Sequence, residues 1–205
     1  STEELQLLAK YHVNAVYCPG SIGIIDGIIA PGSEYRQLGG NVALGSDQSA
    51  GNNCHNIINE MKLCSLFGKI KNGNGVDQPA WESLRMATIE GAKALGIDHL
   101  TGSIEAGKSA DIILVNLNDP AMRPIYTQPM RNFIPNLVYA AQGSIVDTVI
   151  AAGNLVMENR KPLTFNLEEV VEEAQKYADE IAVKGTPQFN EIHGANAVMM
   201  EKGQL

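Results

Sequence analysis

Asp47 is the residue of this sequence best placed to do chemistry. It directly follows the apolar run Asn41–Ser46, which predicts a buried strand. Barrel enzymes place their working groups at the carboxyl ends of such strands. Gln48 and the small polar residues after it leave room for a ligand. The alternative is that Asp47 only caps the next helix, a role that suits aspartate, and on spacing alone this alternative is favoured.

Other side chains could contribute to a site, but each has a plainer explanation. His55 lies at the start of the helix after Asp47 and could be a second metal ligand, although a single histidine there is usually solvated or hydrogen-bonded. His12, before the first strand, is a weaker candidate. Cys18 could be a nucleophile, yet a buried cysteine ordinarily acts as a small apolar residue. No role is assigned to the remaining histidines, His99 and His193.

The elements that must position Asp47 alternate in the order of an α/β fold. Apolar periodicity and Gly/Pro stops predict two strands, at Val13–Cys18 and Asn41–Ser46. A loop at Gly20–Gly32 and a short helix at Ser33–Leu38 are predicted between them. Two longer helices are predicted after the second strand, at Cys54–Ile70 and Pro79–Gly96. A short helix over Leu5–Tyr11 precedes them. In the helix Cys54–Ile70, an apolar stripe is predicted to face the core, formed by Ile57, Met61, Cys64 and Leu66. This order is typical of a (β/α) barrel.

The second half of the chain has a different pattern. A buried strand is predicted at Ala110–Val115, and a hairpin joins Val146–Ala152 to Leu155–Met157 through Gly153-Asn154. A charged helix follows at Asn166–Lys184, with a polar tail after Pro187. We therefore expect a barrel portion over residues 1–100, β-sandwich strands over 101–163, and a C-terminal helix and tail over 164–205.

Composition excludes several classes of protein. The net charge of the 205 residues is −8, whereas a nucleic-acid binder would have a clustered basic face. No apolar run approaches the ~20 residues of a membrane span, and the first residues do not resemble a signal peptide. Three dispersed cysteines favour free thiols in the cytoplasm. With four histidines and no H-x-H, a histidine-rich metal site is hard to assemble from this chain alone.

Several motifs in the right order resemble the metal-dependent amidohydrolases, in the branch of nucleobase and adenosylhomocysteine deaminases and triazine chlorohydrolases. V-A-L-G-S-D-Q-S-A-G-N-N, at Val42–Asn53, is similar to the strand-eight motif of that family. A-V-Y-C-P-G-S, at Ala15–Ser21, stands where the branch has a His-Cys-Pro segment at strand seven. Further regions also have family counterparts, at Ser83–Gly96, Thr101–Val115, Val138–Ser144 and Val149–Val156. The resemblance covers about residues 3 to 162.

The resemblance implies a role for Asp47 in a metal site. In the family, zinc or iron is held by an H-x-H after strand one, histidines after strands five and six, and the aspartate after strand eight. That aspartate maps onto Asp47, which is then both a metal ligand and a catalytic proton acceptor. The metal makes bound water acidic enough to ionise near neutral pH. Gln48 is the candidate substrate contact.

This sequence also departs from the family pattern. Tyr17, Ile22 and Gly51 stand where the branch usually has His, Asn and Ser, at positions that line the substrate side in relatives. The specificity of relatives therefore does not carry over. The H-x-H and the other histidines would belong upstream of Ser1.

We therefore expect the C-terminal fragment of a (β/α)8 TIM-like barrel, with part of a small β-sandwich and a C-terminal helix. It would come from a shortened, proteolysed or split polypeptide. The complete enzyme would remove an amino or chloro substituent from a nitrogen heterocycle, use zinc, with iron as the alternative, and form a homo-oligomer. Its missing N-terminal portion would be the partner of this chain. Alone, the chain should be inactive and bind no zinc tightly, because one carboxylate is far fewer ligands than zinc requires.

Two other classes of function stay open on the sequence. The small β-layer and the acidic helix could form a non-catalytic interaction module that mediates assembly. Alternatively, Cys18 could serve as the nucleophile of a thiol enzyme, which Cys18→Ser would test.

Overall fold

Two short parallel strands lie at the centre of the first half of the chain, β1 (Ala15–Tyr17) and β2 (Val42–Leu44). They pair in register, with Ala15 opposite Val42 and Tyr17 opposite Leu44. These strands belong to a computed structural model, which describes residues 1–192 and 194–204. Both predicted strands are confirmed, although each is shorter than the apolar run that predicted it.

Short helices connect and cover these strands. In chain order they are α1 (Thr2–Lys10), α2 (Pro19–Ile25), α3 (Gly32–Gln37), α4 (Ser49–Asn52), α5 (Ile57–Asn72), α6 (Ala80–Met86), α7 (Ile89–Ala94) and α8 (Phe133–Tyr139). The parallel pair with a helix after each strand is the α/β arrangement that the sequence predicts.

Helix α2 corrects one prediction, because the stretch Gly20–Gly32 was expected to be a loop. Its first half is helical, and its first turn is closed by the Ile22 amide donating to the Cys18 carbonyl at 3.1 Å. Pro19 occupies the first helical position, where its fixed φ suits a helix and its missing N–H costs nothing. This proline outweighs the low helix propensity of the glycines that follow it.

Helix α5 buries a different face from the one predicted. Asn56 caps its start by accepting from the amides of Ile58 and Asn59, so the helix begins later than Cys54. Met61 and Cys64 are buried as expected, whereas Ile57 is only half-buried and Leu66 is 37% exposed. The buried face instead includes Ile58, Ser65, Gly68 and the carboxylate of Glu60.

The single helix predicted over Pro79–Gly96 is two helices in the structure. The break falls at Ala87 and Thr88, between α6 and α7. The Thr88 hydroxyl donates to the Leu84 carbonyl at 2.7 Å, a local bond that competes with continuing the helix.

Two apolar clusters form the core of this half. One contains residues packed beneath the parallel strands, Tyr17, Tyr35, Val42, Cys64 and Met86. The other joins α5, α6 and α8, and its most buried members include Met122, Val138 and Ile145. The strand pair therefore packs against helices α3, α5 and α6.

A separate antiparallel sheet has the strand order β3 (Ile112–Val115), β4 (Val146–Ala151), β5 (Asn154–Glu158) and β6 (Lys161–Pro162). The predicted hairpin is confirmed, but its two-residue turn is Ala152-Gly153 and not the predicted Gly153-Asn154, because Asn154 already pairs with Ala151. Both turn residues have positive φ, as tight hairpin turns favour.

The chain divides into two units, Ser1–Lys161 and Pro162–Leu205. The second contains α9 (Leu167–Ile192) and α10 (Ala195–Glu201), so the C-terminal helix is longer than predicted and continues through Pro187. The expected barrel boundary near residue 100 stays a prediction. Among the described residues, no helix combines the length and apolarity needed to cross a membrane.

Candidate functional site

Asp47 lies just beyond the carboxyl end of β2, beside the carboxyl end of β1. The Gly45 amide donates to the Tyr17 carbonyl at 2.9 Å, which extends the strand pairing to the edge of the site. Asp47 itself has φ +64°, a left-handed conformation that aspartate tolerates better than most residues. The chain therefore turns sharply here and leaves the carboxylate exposed.

Two donors hold the Asp47 carboxylate. The Ser21 hydroxyl, from the first turn of α2, donates to Oδ2 at 2.5 Å, and the Gln48 amide donates to Oδ1 at 2.7 Å. The Ser21 hydrogen bond first, and then the Gln48 amide, lower the pKa of Asp47 below its usual range. The group is therefore ionised at neutral pH. The capping interpretation is wrong, because the cap residue of α4 is Gln48.

A cavity of about 360 Å³ opens beside this carboxylate. Its walls are mostly apolar side chains of α1, β1, α2 and α3, including Leu5, Leu8, Val16, Ile22, Ile25 and Tyr35. Its polar lining includes Asp47, Ser21 and Asp26. A few polar groups on an apolar concave surface are typical of a small-molecule site.

Behind the exposed carboxylate lies a second one that solvent does not reach. Glu60 of α5 is 0% exposed. Its Oε2 accepts from the Gly20 amide at 2.8 Å, and its Oε1 accepts from the Asn52 side-chain amide at 3.0 Å. The same Asn52 nitrogen donates to the Ser46 carbonyl at 2.6 Å. These bonds connect α5 to the residues on either side of the site.

The histidine candidates are not brought together with Asp47. His55 is hydrogen-bonded at both ring nitrogens, to Ser46 Oγ at 3.2 Å and to Ser49 Oγ at 2.7 Å. This geometry matches the plainer interpretation of a hydrogen-bonded loop histidine. His12 is exposed in the turn after α1, and His193 lies outside the described residues.

Cys18 adjoins the site but is poorly suited to be a nucleophile. Burial first, and then the negative charge of Asp47, raise the pKa of its thiol. The thiolate is the reactive form of cysteine, so this surrounding suppresses its reactivity. The structure gives the thiol-enzyme alternative no support.

Of the positions at which the sequence departs from the family pattern, Gly51 lies next to Asp47, and Tyr17 and Ile22 line the same cavity as Asp47. Tyr17 is only 6% exposed and packs in the core beneath the strands. A Cβ on Gly51 would lie 3.0 Å from Ser21 Oγ and 3.2 Å from Asp47 Oδ2, so a larger residue there would press on the pair. Gln48 is exposed at the start of α4.

The metal-ligating chemistry of this chain is incomplete by itself. Among the described residues, no group of three or more His, Cys, Asp or Glu side chains could hold a metal ion. Asp47 offers one ionised oxygen donor of the kind that binds divalent metals. The remaining donors of a metal centre would have to come from outside these residues.

The model of the amidohydrolase family matches residues 2–156. The chain belongs to this family. It is 42% identical over 178 residues to the 5'-deoxyadenosine deaminase of Methanosphaera stadtmanae and 40% identical to the 5-methylthioadenosine/S-adenosylhomocysteine deaminase of Thermoanaerobacter pseudethanolicus. Each alignment covers 87% of this chain and 40% of the relative. The chain thus spans about two fifths of the length of these relatives. The family match confirms the resemblance that the sequence motifs predict.

Solved amidohydrolase structures have the same fold over this portion. An adenosine deaminase from Xanthomonas campestris with bound zinc matches with a TM-score of 0.84 and 28% identity, over 89% of this chain and 40% of that one. The atrazine chlorohydrolase of Arthrobacter aurescens, complexed with zinc, matches with a TM-score of 0.76 and 25% identity, over 86% and 38% of the two chains. A divalent metal is therefore a property of the family.

Sequence reasoning singled out Asp47 but missed the groups that hold it. Ser21 was placed in a loop, where its hydroxyl had no reason to point at Asp47. Asn52 belongs to the polar run after Asp47 and Glu60 to the predicted helix Cys54–Ile70, and the sequence predicts no role for either. The proline that starts α2 is the one feature that could have brought Ser21 into the site, since a helix there fixes the direction of its side chain.

Proposed function

We propose that this chain is the C-terminal part of a metal-dependent amidohydrolase that removes an amino or chloro substituent from a nitrogen heterocycle. An amino substituent on an adenosine-like substrate is favoured. The relatives at 42% and 40% identity are named as deaminases of adenosine derivatives, whereas the chlorohydrolase is 25% identical. Hydrolysis then replaces the amino group by oxygen and releases ammonia.

The observation that carries this proposal is the ionised carboxylate of Asp47 at the carboxyl end of a parallel strand. Its two hydrogen bonds fix the group next to the cavity without burying it. We assign Asp47 two roles, as an oxygen ligand of the metal and as the base that accepts a proton from the attacking water. The metal supplies the acidity of that water and polarises the substrate. Asp47 can then return the proton to the leaving group.

Gln48 is proposed to contact the substrate. Its side chain is exposed directly after Asp47, and an amide can both donate to and accept from a heterocycle. The test uses a hybrid enzyme in which this chain replaces the matched residues of the Methanosphaera deaminase. In this hybrid, Gln48→Ala should raise KM about fivefold with little change in kcat, as expected for one neutral hydrogen bond. Gln37→Ala, at the end of α3, is the control and should leave KM unchanged. An unchanged KM in Gln48→Ala would remove this assignment.

The partner of this chain would be the N-terminal portion of the same enzyme. β1 and β2 form a two-stranded parallel sheet, and all-parallel sheets normally have further strands and covered faces. We propose that the missing portion provides both the neighbouring strands and the other zinc ligands. The chain alone is then inactive and holds no tightly bound zinc. A cytoplasmic location and a homo-oligomeric complete enzyme belong to the same proposal.

A hybrid enzyme tests this proposal. This chain would replace the 178 matched residues of the Methanosphaera deaminase, and ammonia release from 5'-deoxyadenosine would be measured. The hybrid should be active, and this chain by itself should release no ammonia and retain much less than one zinc per chain after dialysis. A hybrid that folds and binds zinc but acts on no adenosine derivative and no chlorinated triazine would contradict the proposed function.

A further inference from the structure

We propose that Glu60 is a positioning residue, which holds the exposed carboxylate of Asp47 in place from behind. The inference rests on the proposed role of Asp47 and adds a residue to the same site. Glu60 is fully buried, does not itself line the cavity and donates or accepts no hydrogen bond with Asp47 among the described residues, so we assign it no part in the chemical steps.

Burying the charge of Glu60 carries a free-energy cost that its surroundings must offset. A carboxylate without solvent is tolerated only where donors surround it. Glu60 has no arginine or lysine partner among the described residues, and its two oxygens accept instead from the Gly20 amide and the Asn52 side chain. Both donors come from loops and short helices at the carboxyl ends of the strands. The placement of Glu60 thus connects these segments to the long helix α5.

The two hydrogen bonds of Glu60 connect it to Gly20 and, through Asn52, to Ser46. These residues directly precede Ser21 and Asp47, which are hydrogen-bonded to each other. Gly20 directly precedes Ser21, whose hydroxyl donates to Asp47. Through Asn52, Glu60 also reaches the carbonyl of Ser46, the residue directly before Asp47. One buried carboxylate therefore fixes the backbone on both sides of the Ser21–Asp47 hydrogen bond.

Close packing at Gly20 shows that this arrangement has little freedom. A Cβ on Gly20 would lie 2.6 Å from Asn52 Oδ1 and 2.7 Å from Glu60 Oε1. The backbone of α2 consequently sits directly against the buried pair. The left-handed backbone of Asp47 also needs such support, since a non-glycine residue keeps this conformation only where its surroundings impose it.

Glu60→Gln tests the inference in the isolated chain, without any need for activity. Gly20 and Asn52 donate to different oxygens of Glu60. A glutamine keeps the volume but replaces one of these oxygens by an NH2 group, which would face a donor and cannot accept from it. Hydrogen exchange of the Gln48 amide, which donates to Asp47 Oδ1, reports on the site locally. We expect this amide to exchange about tenfold faster or more, as for the loss of a hydrogen bond to a charged group.

Glu90→Gln is the matched control, because Glu90 is also a buried carboxylate, paired with Arg36 and Arg85 away from Asp47. It should leave the exchange of the Gln48 amide unchanged. If Glu60→Gln leaves the Gln48 amide as protected as in the wild type, or if Glu90→Gln exposes it equally, Glu60 is only a structural residue and the inference is overturned.

Asn52→Ala keeps the inference testable if Glu60→Gln does not fold. It removes the connection to Ser46 while Glu60 retains the Gly20 amide. The Gln48 amide should again exchange faster, and an unchanged rate would contradict the inference. In the active hybrid, Glu60→Gln should lower kcat with little effect on KM. Because the exchange experiment uses the chain alone, an inactive hybrid would affect the proposed function but not this result.

Discussion

The two ends of the strand pair are held by opposite kinds of interaction. At the amino end, Asn41 bridges the strands by donating to Asn14 Oδ1 at 2.9 Å and to the Glu90 carbonyl at 3.1 Å. The side chain of Glu90 in turn forms ion pairs with Arg36 and Arg85. At the carboxyl end, the donors to the buried Glu60 among the described residues are a backbone amide and a side-chain amide, and the Asp47 carboxylate lines the cavity.

This difference fits the proposal that the amino end of the strand pair stabilises the fold and the carboxyl end carries the catalytic group. Positive partners at the amino end neutralise the buried charge and join α3, α6 and α7, which suits a structural role. A positive side chain beside Asp47 would instead compete with a metal ion for the carboxylate. Amides position the carboxylate end without neutralising it, in keeping with the general division of barrel enzymes into a stabilising and a catalytic face.

The largest effect on stability should come from the amino end. Glu90→Ala leaves Arg36 in a largely buried position without its main partner, and breaking a buried ion pair in this way costs about 3 kcal/mol. Urea denaturation of the isolated chain measures this loss. The exchange rate of the Gln48 amide at the carboxyl end should stay the same in native conditions. A stability loss smaller than that of an exposed pair would show that the amino end is not the stabilising end.

A smaller loss is expected from crowding the carboxyl end. Gly20→Ala introduces a Cβ that would overlap Asn52 and Glu60, and overpacking of this kind costs about 1–3 kcal/mol. Gly75→Ala is the matched control, since a Cβ there meets no atom within 4 Å and should be nearly neutral. Equal denaturation midpoints for the two variants would contradict the close packing of Gly20 against the buried carboxylate.

The smallest effect concerns the charge of Asp47 itself. Ser21→Ala removes the main cause of its lowered pKa, so the pKa should rise toward its ordinary value of about 3.9. Because the folded-state pKa is lowered, its stabilising contribution is present above the ordinary value and is lost as the pH falls through the lowered one. An NMR titration of the Asp47 carboxyl carbon measures the change.

Ser33→Ala is the control for that titration, since the Ser33 hydroxyl donates to Asp77 and not to Asp47. It should leave the pKa of Asp47 where it is in the wild type. A pKa of Asp47 that does not move in Ser21→Ala would show that this hydrogen bond does not hold the carboxylate.

The parts of the fold predicted from sequence are those in which local pattern and tertiary context agree. The apolar runs Val13–Cys18 and Asn41–Ser46 predicted both strands. The change from apolar to polar residues at Asp47 predicted the site, and the role of Asp47 stays a prediction. Helix α2 was not predicted, because the helix propensity of its glycines is low, whereas packing and Pro19 favour a helix there. The local pattern also predicted one helix over Pro79–Gly96, whereas the structure has two helices that are separated at Ala87 and Thr88.

The groups that position Asp47 could not be found from spacing. Ser21 lies 26 residues before Asp47, and Gly20 lies 40 residues before Glu60. A glutamate on a helix is normally expected to face solvent. Only the structure shows that hydrogen-bond donors to Glu60 lie in the interior. Pairings over such distances depend on how the helices pack, which one sequence does not specify.

The central claim is that Asp47 does the chemistry at the carboxyl end while the amino end provides stability. Its most direct test is the rate of ammonia release by the zinc-loaded hybrid enzyme carrying Asp47→Ala, compared with Asp98→Ala, a turn aspartate that does not line the cavity. Asp47→Ala should lower kcat about 100-fold or more in hybrid enzyme that is still folded and zinc-loaded, and Asp98→Ala should match the wild type. A hybrid that keeps its full rate with alanine at position 47 would contradict the claim.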